Sequence, residues 1–311
     1  MPPTLIESFS FGTGTVSPEP ATHVLRLLAK SLKALDVGNA SEVLYPLMNT
    51  LQFARLTNLR QHATTYLHHF YSLSCHTSIT ELYIGPGTSQ QWVIPVDYFQ
   101  APHLLPHLQR LSSPWRVAVR IIPGRPVKVF HDTELLGGSD KITVLGRLRQ
   151  LARSTAEQGM EQIRMCHNIG VIGLVCALNT NVPHLKRLEV FVRDHHPLQL
   201  EGWRIGCNSS IIEIEIRFLR PTRESLLSDE RAYPEQPCRT LFITLAEVCH
   251  KLEQMTFLAA NSLITDGGSV FDENEQDIPS DCKLKFRKTS KGTWEERMWG
   301  IEDRGNIIMS L

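Results

Sequence analysis

Apolar residues recur along the chain in one spacing, with an apolar residue at a starting position, called position 0, and again three and five residues later. The clearest examples are Ile79-Leu82-Ile84, Met160-Ile163-Met165, Leu185-Leu188-Val190, Ile211-Ile214-Ile216 and Leu252-Met255-Phe257. Stretches with the apolar spacing of a helix occur at residues 24–29, 65–73, 144–152, 171–179 and 241–248. Each of these stretches ends shortly before such a triplet. The pattern predicts a repeated unit of a short amphipathic helix, a turn and a short strand.

The intervals between the triplets indicate how the units are arranged. Counted from position 0, repeats begin near residues 6, 32, 79, 108, 160, 185, 211 and 252. Three of the intervals are 25 or 26 residues, which is within the length of a leucine-rich repeat. The two longest intervals would each hold one more repeat, and we expect Met48-Leu51-Phe53 and Val127-Val129 to supply those strands.

A single helix–strand unit cannot bury its apolar face, whereas stacked units bury a continuous core. We therefore predict an α/β fold, an irregular leucine-rich-repeat-like solenoid with short parallel strands and outer helices. It would form one repeat-type domain over residues 1–311, with N-terminal repeats in 1–64, clearer repeats in 65–300 and a tail in 301–311. An ordinary α/β fold of alternating helices and strands is the alternative. A dinucleotide-binding fold is disfavoured, because its strands would be longer runs of Val and Ile between glycine turns.

Residues that alternate with the apolar ones should point away from the helices. In the strand after Leu185, for example, Leu188 and Val190 share one face and Glu189 points the other way. Because neighbouring strands are stacked, we expect these outward residues to form a partner-binding strip on the concave strand face. The strip consists of Tyr83, Lys128, Arg164, Glu189, Glu215, Thr256 and Lys285.

Composition narrows the classes of function. The chain has 311 residues, 32 basic and 32 acidic side chains, and no formal net charge. A protein that binds nucleic acid by neutralising phosphates would carry a basic excess. The purest apolar stretch, residues 171–178, is much shorter than the roughly 20 residues that cross a bilayer. We therefore expect neither a nucleic-acid nor a membrane partner.

The cysteines indicate the compartment. There are seven, with wide spacings and no Cys-x-x-Cys, and the first residues lack the basic and apolar regions of a secretory signal. We expect reduced thiols and an intracellular protein, cytoplasmic or nuclear.

No catalytic or metal-binding constellation is evident. Gly12-Thr13-Gly14 lacks the third glycine of a nucleotide loop, and the loop at residues 272–277 has Asp277 where a calcium loop needs glycine. The pairs His68-His69 and His195-His196 are sequence neighbours, whose side chains diverge on a helix. We expect no catalytic residue, no metal and no cofactor. Residues 283–291 are locally basic and are interpreted as a last, charged strand that caps the array.

Two segments resemble a known family. Residues 105–111, Leu-Pro-His-Leu-Gln-Arg-Leu, lead into residues 121–127, Ile-Ile-Pro-Gly-Arg-Pro-Val. This combination resembles the leucine-rich-repeat part of F-box-like proteins from mushroom-forming fungi. The repeat at 182–185 and the C-terminal Trp294 and Trp299 are similar to that family too. The resemblance spans residues 65–300 and implies a partner-binding repeat domain. The helical Leu-Pro-x-Glu-Ile/Leu start of an F-box is not evident, so the resemblance concerns the repeat part.

Three hypotheses for the function follow. The first is a non-catalytic protein-interaction domain of leucine-rich-repeat type, for which the resemblance implies the role of substrate receptor of a ubiquitin ligase. Its partner would be a protein, and neither the identity of that protein nor the oligomeric state of the chain can be read from the sequence. The second is an enzyme whose site is assembled only in three dimensions. The third is a degenerate remnant.

Overall fold

The computed structural model describes residues 6–11, 17–37, 44, 47–48, 50–61, 76–85, 104–133, 141–166, 171–192, 210–219, 235–260, 283–299 and 307–309. It has an α/β fold with a mostly parallel open sheet. Contacts within the chain define two compact units, which are described separately below. The first comprises residues 1–134 and 153–157, and the second comprises residues 135–152 and 158–311.

The strands of the first unit are short and pair in chain order, and every pair is parallel. They are β1 (Ser8–Ser10), β2 (Ala34–Asp36), β3 (Asn58–Gln61), β4 (Glu81–Ile84), β5 (Arg110–Ser113) and β6 (Val129–Asp132). The described helices of this unit are α1 (Pro18–Leu28) and α2 (Trp115–Ile121). Proline in its first turn suits the start of α1, because the first N–H groups of a helix have no intrahelical partner.

The second unit begins with four strands that also pair in chain order and in parallel. They are β7 (Gln162–Cys166), β8 (Arg187–Val192), β9 (Glu213–Leu219) and β10 (Gln254–Ala260). Its described helices are α3 (Lys141–Leu151), α4 (Val171–Asn181) and α5 (Glu235–Val248). No described helix of the chain is long and apolar enough to span a membrane.

The last strands depart from the predicted parallel arrangement. They are β11 (Lys283–Lys288), β12 (Trp294–Trp299) and β13 (Ile307–Met309), and each pairs antiparallel with the strand before it. The turn between β11 and β12 is too short for the crossover that a parallel pair requires. The expectation of parallel strands is therefore wrong for this end of the chain, and the expected tail at 301–311 contains β13.

The same backbone contact recurs where successive parallel strands begin. Two consecutive N–H groups donate to one carbonyl of the preceding repeat: Thr57 and Asn58 to Lys33 in the first unit, and Lys186 and Arg187 to Glu161 in the second. A serine just before position 0 adds a side-chain contact, as in the 2.7 Å hydrogen bond that the Ser78 hydroxyl donates to the Leu56 carbonyl. Equivalent hydrogen bonds therefore recur at the repeat spacing that the sequence predicts.

The apolar triplets form the core between strands and helices. All fifteen residues of the five clearest triplets are at most 2% exposed. Aromatic pairs join the two layers: the rings of Trp115 on α2 and Phe130 on β6 are 4.9 Å apart, and those of Phe242 on α5 and Phe286 on β11 stack at 3.9 Å. The outward strand residues therefore lie on the face opposite these helices.

Two expected strands need correction. Met48 lies in a helical turn, and the repeat after β2 starts at Leu56 and uses Leu59 and Gln61. The pattern missed this repeat because the side chain at its third position, Gln61, is polar, although it is buried. The strand expected at Val127-Val129 exists as β6, but Phe130 and not Val129 faces the core. The helix expected at 65–73 lies outside the described residues.

Candidate binding face

Five of the seven residues of the expected strip lie in one row of the second unit. The pairing of β7 to β11 places Arg164 opposite Glu189, Glu189 opposite Glu215, Glu215 opposite Thr256, and Thr256 opposite Lys285. Four of them stand four residues after position 0 of their repeats, and the antiparallel register adds Lys285. We call this side of the second unit's sheet, which carries the row and its outward neighbours on the same strands, the open face.

The centre of the row is a network of ion pairs around Glu189. Its carboxylate oxygens lie 2.6 Å from Nε of Arg164 and 2.9 Å from Nε of Arg217. Nε of Arg217 is also 2.6 Å from a carboxylate oxygen of Glu215. Glu189 on β8 and Glu215 on β9 face each other with like charges, and the guanidinium group of Arg217 bridges them. The sequence did not single out Arg217, which lies one alternate position further along β9.

Burial and the neighbouring arginines shift the pKa of the Glu189 carboxyl in opposite directions. The pKa of its carboxyl is raised, mainly by burial and also by the nearby Glu215, although the guanidinium groups of Arg164 and Arg217 lower it. Only 11% of the Glu189 side chain is exposed, against 23% for Arg164 and 21% for Arg217. Arg164, Arg217 and Glu215, whose side chain is 25% exposed, consequently carry the accessible polar surface of this network, and Glu189 pairs with both arginines.

Phe191 provides an aromatic surface beside the network. It lies two residues after Glu189 on the same face of β8 and is buried. The guanidinium carbons of Arg164 and Arg217 are 5.9 and 5.6 Å from the centre of its ring. Such cation–π contacts fix planar guanidinium groups against the sheet, which reduces the side-chain entropy they would lose on binding.

A second row of the open face is more exposed. Arg187 on β8 has 62% of its side chain exposed, and its Nε lies 2.9 Å from a carboxylate oxygen of Glu213 on β9. Gln254 on β10 donates its side-chain N–H to the other carboxylate oxygen of Glu213 at 3.0 Å. Arg187, Glu213 and Gln254 therefore present a positive charge, a negative charge and an amide group to a partner. None of its members was selected from the sequence, although each stands two residues before a member of the first row.

Tyr83 lies in a comparable row of the first unit. Its register partners are Arg60 on β3 and Ser112 on β5. The guanidinium carbon of Arg60 is 4.4 Å from the centre of the Tyr83 ring, and its Nε is 3.8 Å from a carboxylate oxygen of Asp36. Tyr83 is buried, so its ring mainly packs against the guanidinium group of Arg60.

Lys128 is not brought next to Tyr83. It precedes β6, is exposed, and its N–H donates to the carbonyl of Gln109. The β6 residue in register with Ser112, and hence in the row of Tyr83, is His131. The pattern predicts Lys128 in the strip because it expects Val129 on the core side of the strand, whereas Phe130 lies on the core side of β6.

Several candidate motifs of the sequence fall where side chains are not described. They include the histidine pairs at 68–69 and 195–196, the glycines at 12 and 14, and the acidic loop at 272–277. Among the described residues, no group of three or more His, Cys, Asp and Glu side chains is close enough to hold a metal ion.

Comparison with known proteins adds no relative. No protein-family model matches the chain. A search of curated proteins likewise finds no match.

Proposed function

We propose that the chain is a non-catalytic protein-interaction domain of leucine-rich-repeat type that binds its partner through the open face. The observation that carries this proposal is the register row of Arg164, Glu189, Glu215, Thr256 and Lys285. Within this row Glu189 and Thr256 are buried, whereas Arg164, Glu215 and Lys285 are partly exposed. The partly exposed members lie on one face of the sheet, where a partner-binding solenoid presents its contact residues.

The chemistry of this face suits a protein. Arginines held on an aromatic ring are typical anchors of protein interfaces, and Arg164 and Arg217 share the ring of Phe191. Their charges are balanced by Glu189 and Glu215, which would repel a phosphate backbone. A partner with its own alternating charges and amide groups would match the exposed ladder of Arg187 and Glu213.

The repeat type is supported by two observations. Equivalent pairs of N–H groups bind the preceding repeat in both units, and the parallel strands β4, β7, β8, β9 and β10 carry buried apolar residues at the repeat spacing. The narrower role of substrate receptor of a ubiquitin ligase is supported by the resemblance of residues 105–111 and 121–127 to fungal F-box-like repeats.

Site-specific photocrosslinking tests the proposal. The full chain carries a photoreactive phenylalanine analogue at Arg187, which is exposed on the open face, or at the matched control Glu247, which is exposed on α5 of the same unit. After irradiation in an extract of the source cells, adducts are resolved by gel electrophoresis and mass spectrometry. We expect a discrete protein adduct from position 187 that is absent from position 247. Equal adducts from both positions would refute binding through the open face.

A further inference from the structure

An exposed serine lies among basic residues in the turn between β11 and β12. Ser290 is exposed, and so are Arg287, three residues before it, and Lys288, two residues before it. Lys291, which follows the serine, is exposed as well. No acidic residue occurs between positions 285 and 294. The Ser290 hydroxyl therefore lies in an accessible segment of uniformly positive charge.

This spacing of basic residues matches the charge pattern that one class of protein kinase recognises. Arginine-directed serine/threonine kinases carry acidic side chains in the substrate groove, which pair with basic residues three and two positions before the acceptor. Arg287 and Lys288 occupy these two positions relative to Ser290. Both belong to β11, so the segment that the groove would contact is extended. The charge pattern therefore indicates a phosphoryl acceptor.

Burial distinguishes the two places in the chain where an arginine stands three residues before a serine or threonine. They are Arg110 before Ser113, and Arg287 before Ser290. Ser113 on β5 is 0% exposed, and its hydroxyl donates to the carbonyl of Pro114 at 3.3 Å. A kinase cannot reach this hydroxyl while β5 is folded, whereas Ser290 is exposed in a turn. Ser113 is therefore an internal control for the arginine spacing alone.

Hydrogen bonds of two threonines and a glycine hold the turn that contains Ser290. The N–H of Thr289 donates to the carbonyl of Thr293 at 2.7 Å, and the N–H of Gly292 donates to the carbonyl of Thr289 at 3.0 Å. The hydroxyls of Thr289 and Thr293 are hydrogen-bonded to each other at 2.7 Å. None of these contacts uses the Ser290 side chain, so a phosphate on Ser290 would leave them intact.

We propose that Ser290 is a phosphorylation site for an arginine-directed serine/threonine kinase. Its Oγ attacks the γ-phosphorus of magnesium-bound ATP, its proton passes to the catalytic base of the kinase, and ADP leaves. The phosphate adds a charge of about −1.5 to −2, with which the nearby Arg287, Lys288 and Lys291 can pair. Arg287 lies in register with Gln254, in the second row of the open face, so the modification changes the charge beside that face.

Phosphorylation of the folded full chain tests the proposal. The chain is incubated with magnesium ATP and the catalytic subunit of cyclic-AMP-dependent protein kinase, an arginine-directed enzyme. Mass spectrometry of proteolytic peptides locates the phosphate and follows its appearance over time. We expect phosphate at Ser290 and none at Ser113. Ser290→Ala should not transfer the modification to Thr289, whose hydroxyl is bonded to Thr293.

Charge variants test how the kinase recognises the turn. Arg287→Gln should raise the KM for phosphorylation at Ser290 about tenfold and leave kcat unchanged, because the lost contact is made away from the reacting hydroxyl. Arg55→Gln removes an exposed arginine of the first unit, and it should leave both constants within about twofold of the unchanged chain. Thermal unfolding of both variants verifies that they are folded.

Three results would overturn the proposal. The first is a folded chain that gains no phosphate at Ser290. The second is an equal KM for the Arg287→Gln and Arg55→Gln variants, which would mean that the kinase does not read the basic residues of β11. The third is phosphate at Ser113 as fast as at Ser290, which would mean that burial does not select the acceptor.

Discussion

The buried side chain of Arg125 stabilises the loop that follows α2 by hydrogen bonds to backbone carbonyls. It is 1% exposed, and its Nε donates to the carbonyl of Leu104 at 2.8 Å. Nη1 donates to the carbonyls of Ile121 at 2.6 Å and Pro123 at 3.0 Å. Burial lowers the pKa of Arg125, but a guanidinium group remains protonated in proteins. The Pro-Gly-Arg-Pro segment, which the sequence offers only as a mark of resemblance, is therefore a structural clamp after α2.

Arg125→Met should lower the free energy of unfolding by about 3 kcal/mol, because it leaves three carbonyls without this donor in a buried site. Urea unfolding followed by circular dichroism measures the change. Arg55→Met is the matched control, since Arg55 is an exposed arginine of the same unit, and it should stay within about 0.5 kcal/mol of the unchanged chain. A small loss at Arg125 would mean that water replaces its hydrogen bonds.

Two glycines should respond to alanine in opposite directions. Gly124 has a φ of 77°, and no atom lies within 4 Å of a Cβ added there. Gly124→Ala should therefore destabilise by about 1 kcal/mol through backbone strain alone. Gly146 lies inside α3 with equally open space, so Gly146→Ala should stabilise by roughly 0.5–1 kcal/mol. Thermal unfolding distinguishes the two, and shifts of the same sign would contradict this interpretation.

His76 should make the first unit sensitive to acid. It is 1% exposed against the edge of Phe53. Burial lowers its pKa from the ordinary 6.5. The unfolded chain therefore binds the proton first, so stability is lost as the pH falls below 6.5 towards the lowered pKa.

Urea unfolding between about pH 7.5 and 5.5 tests this on the unchanged chain and on His76→Phe. The unchanged chain should lose more stability over this range than the variant, which has no imidazole to protonate. An identical decline in both would assign the acid sensitivity to other groups.

At the level of the element, the repeat spacing predicts strands most clearly where all three apolar positions are occupied, although β5 is predicted with the buried Ser113 at its third position. The five clearest triplets all lie in the predicted place, because periodicity and burial agree there. β3 was missed because a buried Gln61 occupies the third position, and β6 was misaligned because Asp132 occupies it and the outward Val129 is apolar. Local sequence cannot show that a polar residue at the third position is buried.

Adjacent residues of β8 should differ sharply in their contribution to stability. Leu188 is 1% exposed on the core side, and Leu188→Ala should cost roughly 2–5 kcal/mol. Arg187 precedes it on the open face, and its ion pair with Glu213 is largely exposed, so Arg187→Ala should cost at most about 0.5 kcal/mol. Denaturant unfolding of both variants checks the register, and similar losses would contradict it.

For the molecule as a whole, the sequence predicts the α/β class and most residues of the row on the open face. It does not predict the burial and ion pairs of those residues. The row from Arg164 to Lys285 was predictable because strand alternation and a common repeat frame determine which side chains align. The burial of Glu189 and the bridging position of Arg217 depend on side-chain packing across strands.

The central claim is that a protein partner binds the open face, and a comparison of affinities tests it most directly. Isothermal titration calorimetry would measure the binding of the partner captured at position 187 to three folded chains: unchanged, Arg164→Gln with Arg187→Ala, and Glu247→Ala. We expect the open-face variant to bind at least about tenfold more weakly, a loss of about 1.4 kcal/mol, and the α5 variant to bind as the unchanged chain does. Unchanged affinity of the open-face variant, or an equal loss from Glu247→Ala, would contradict the claim.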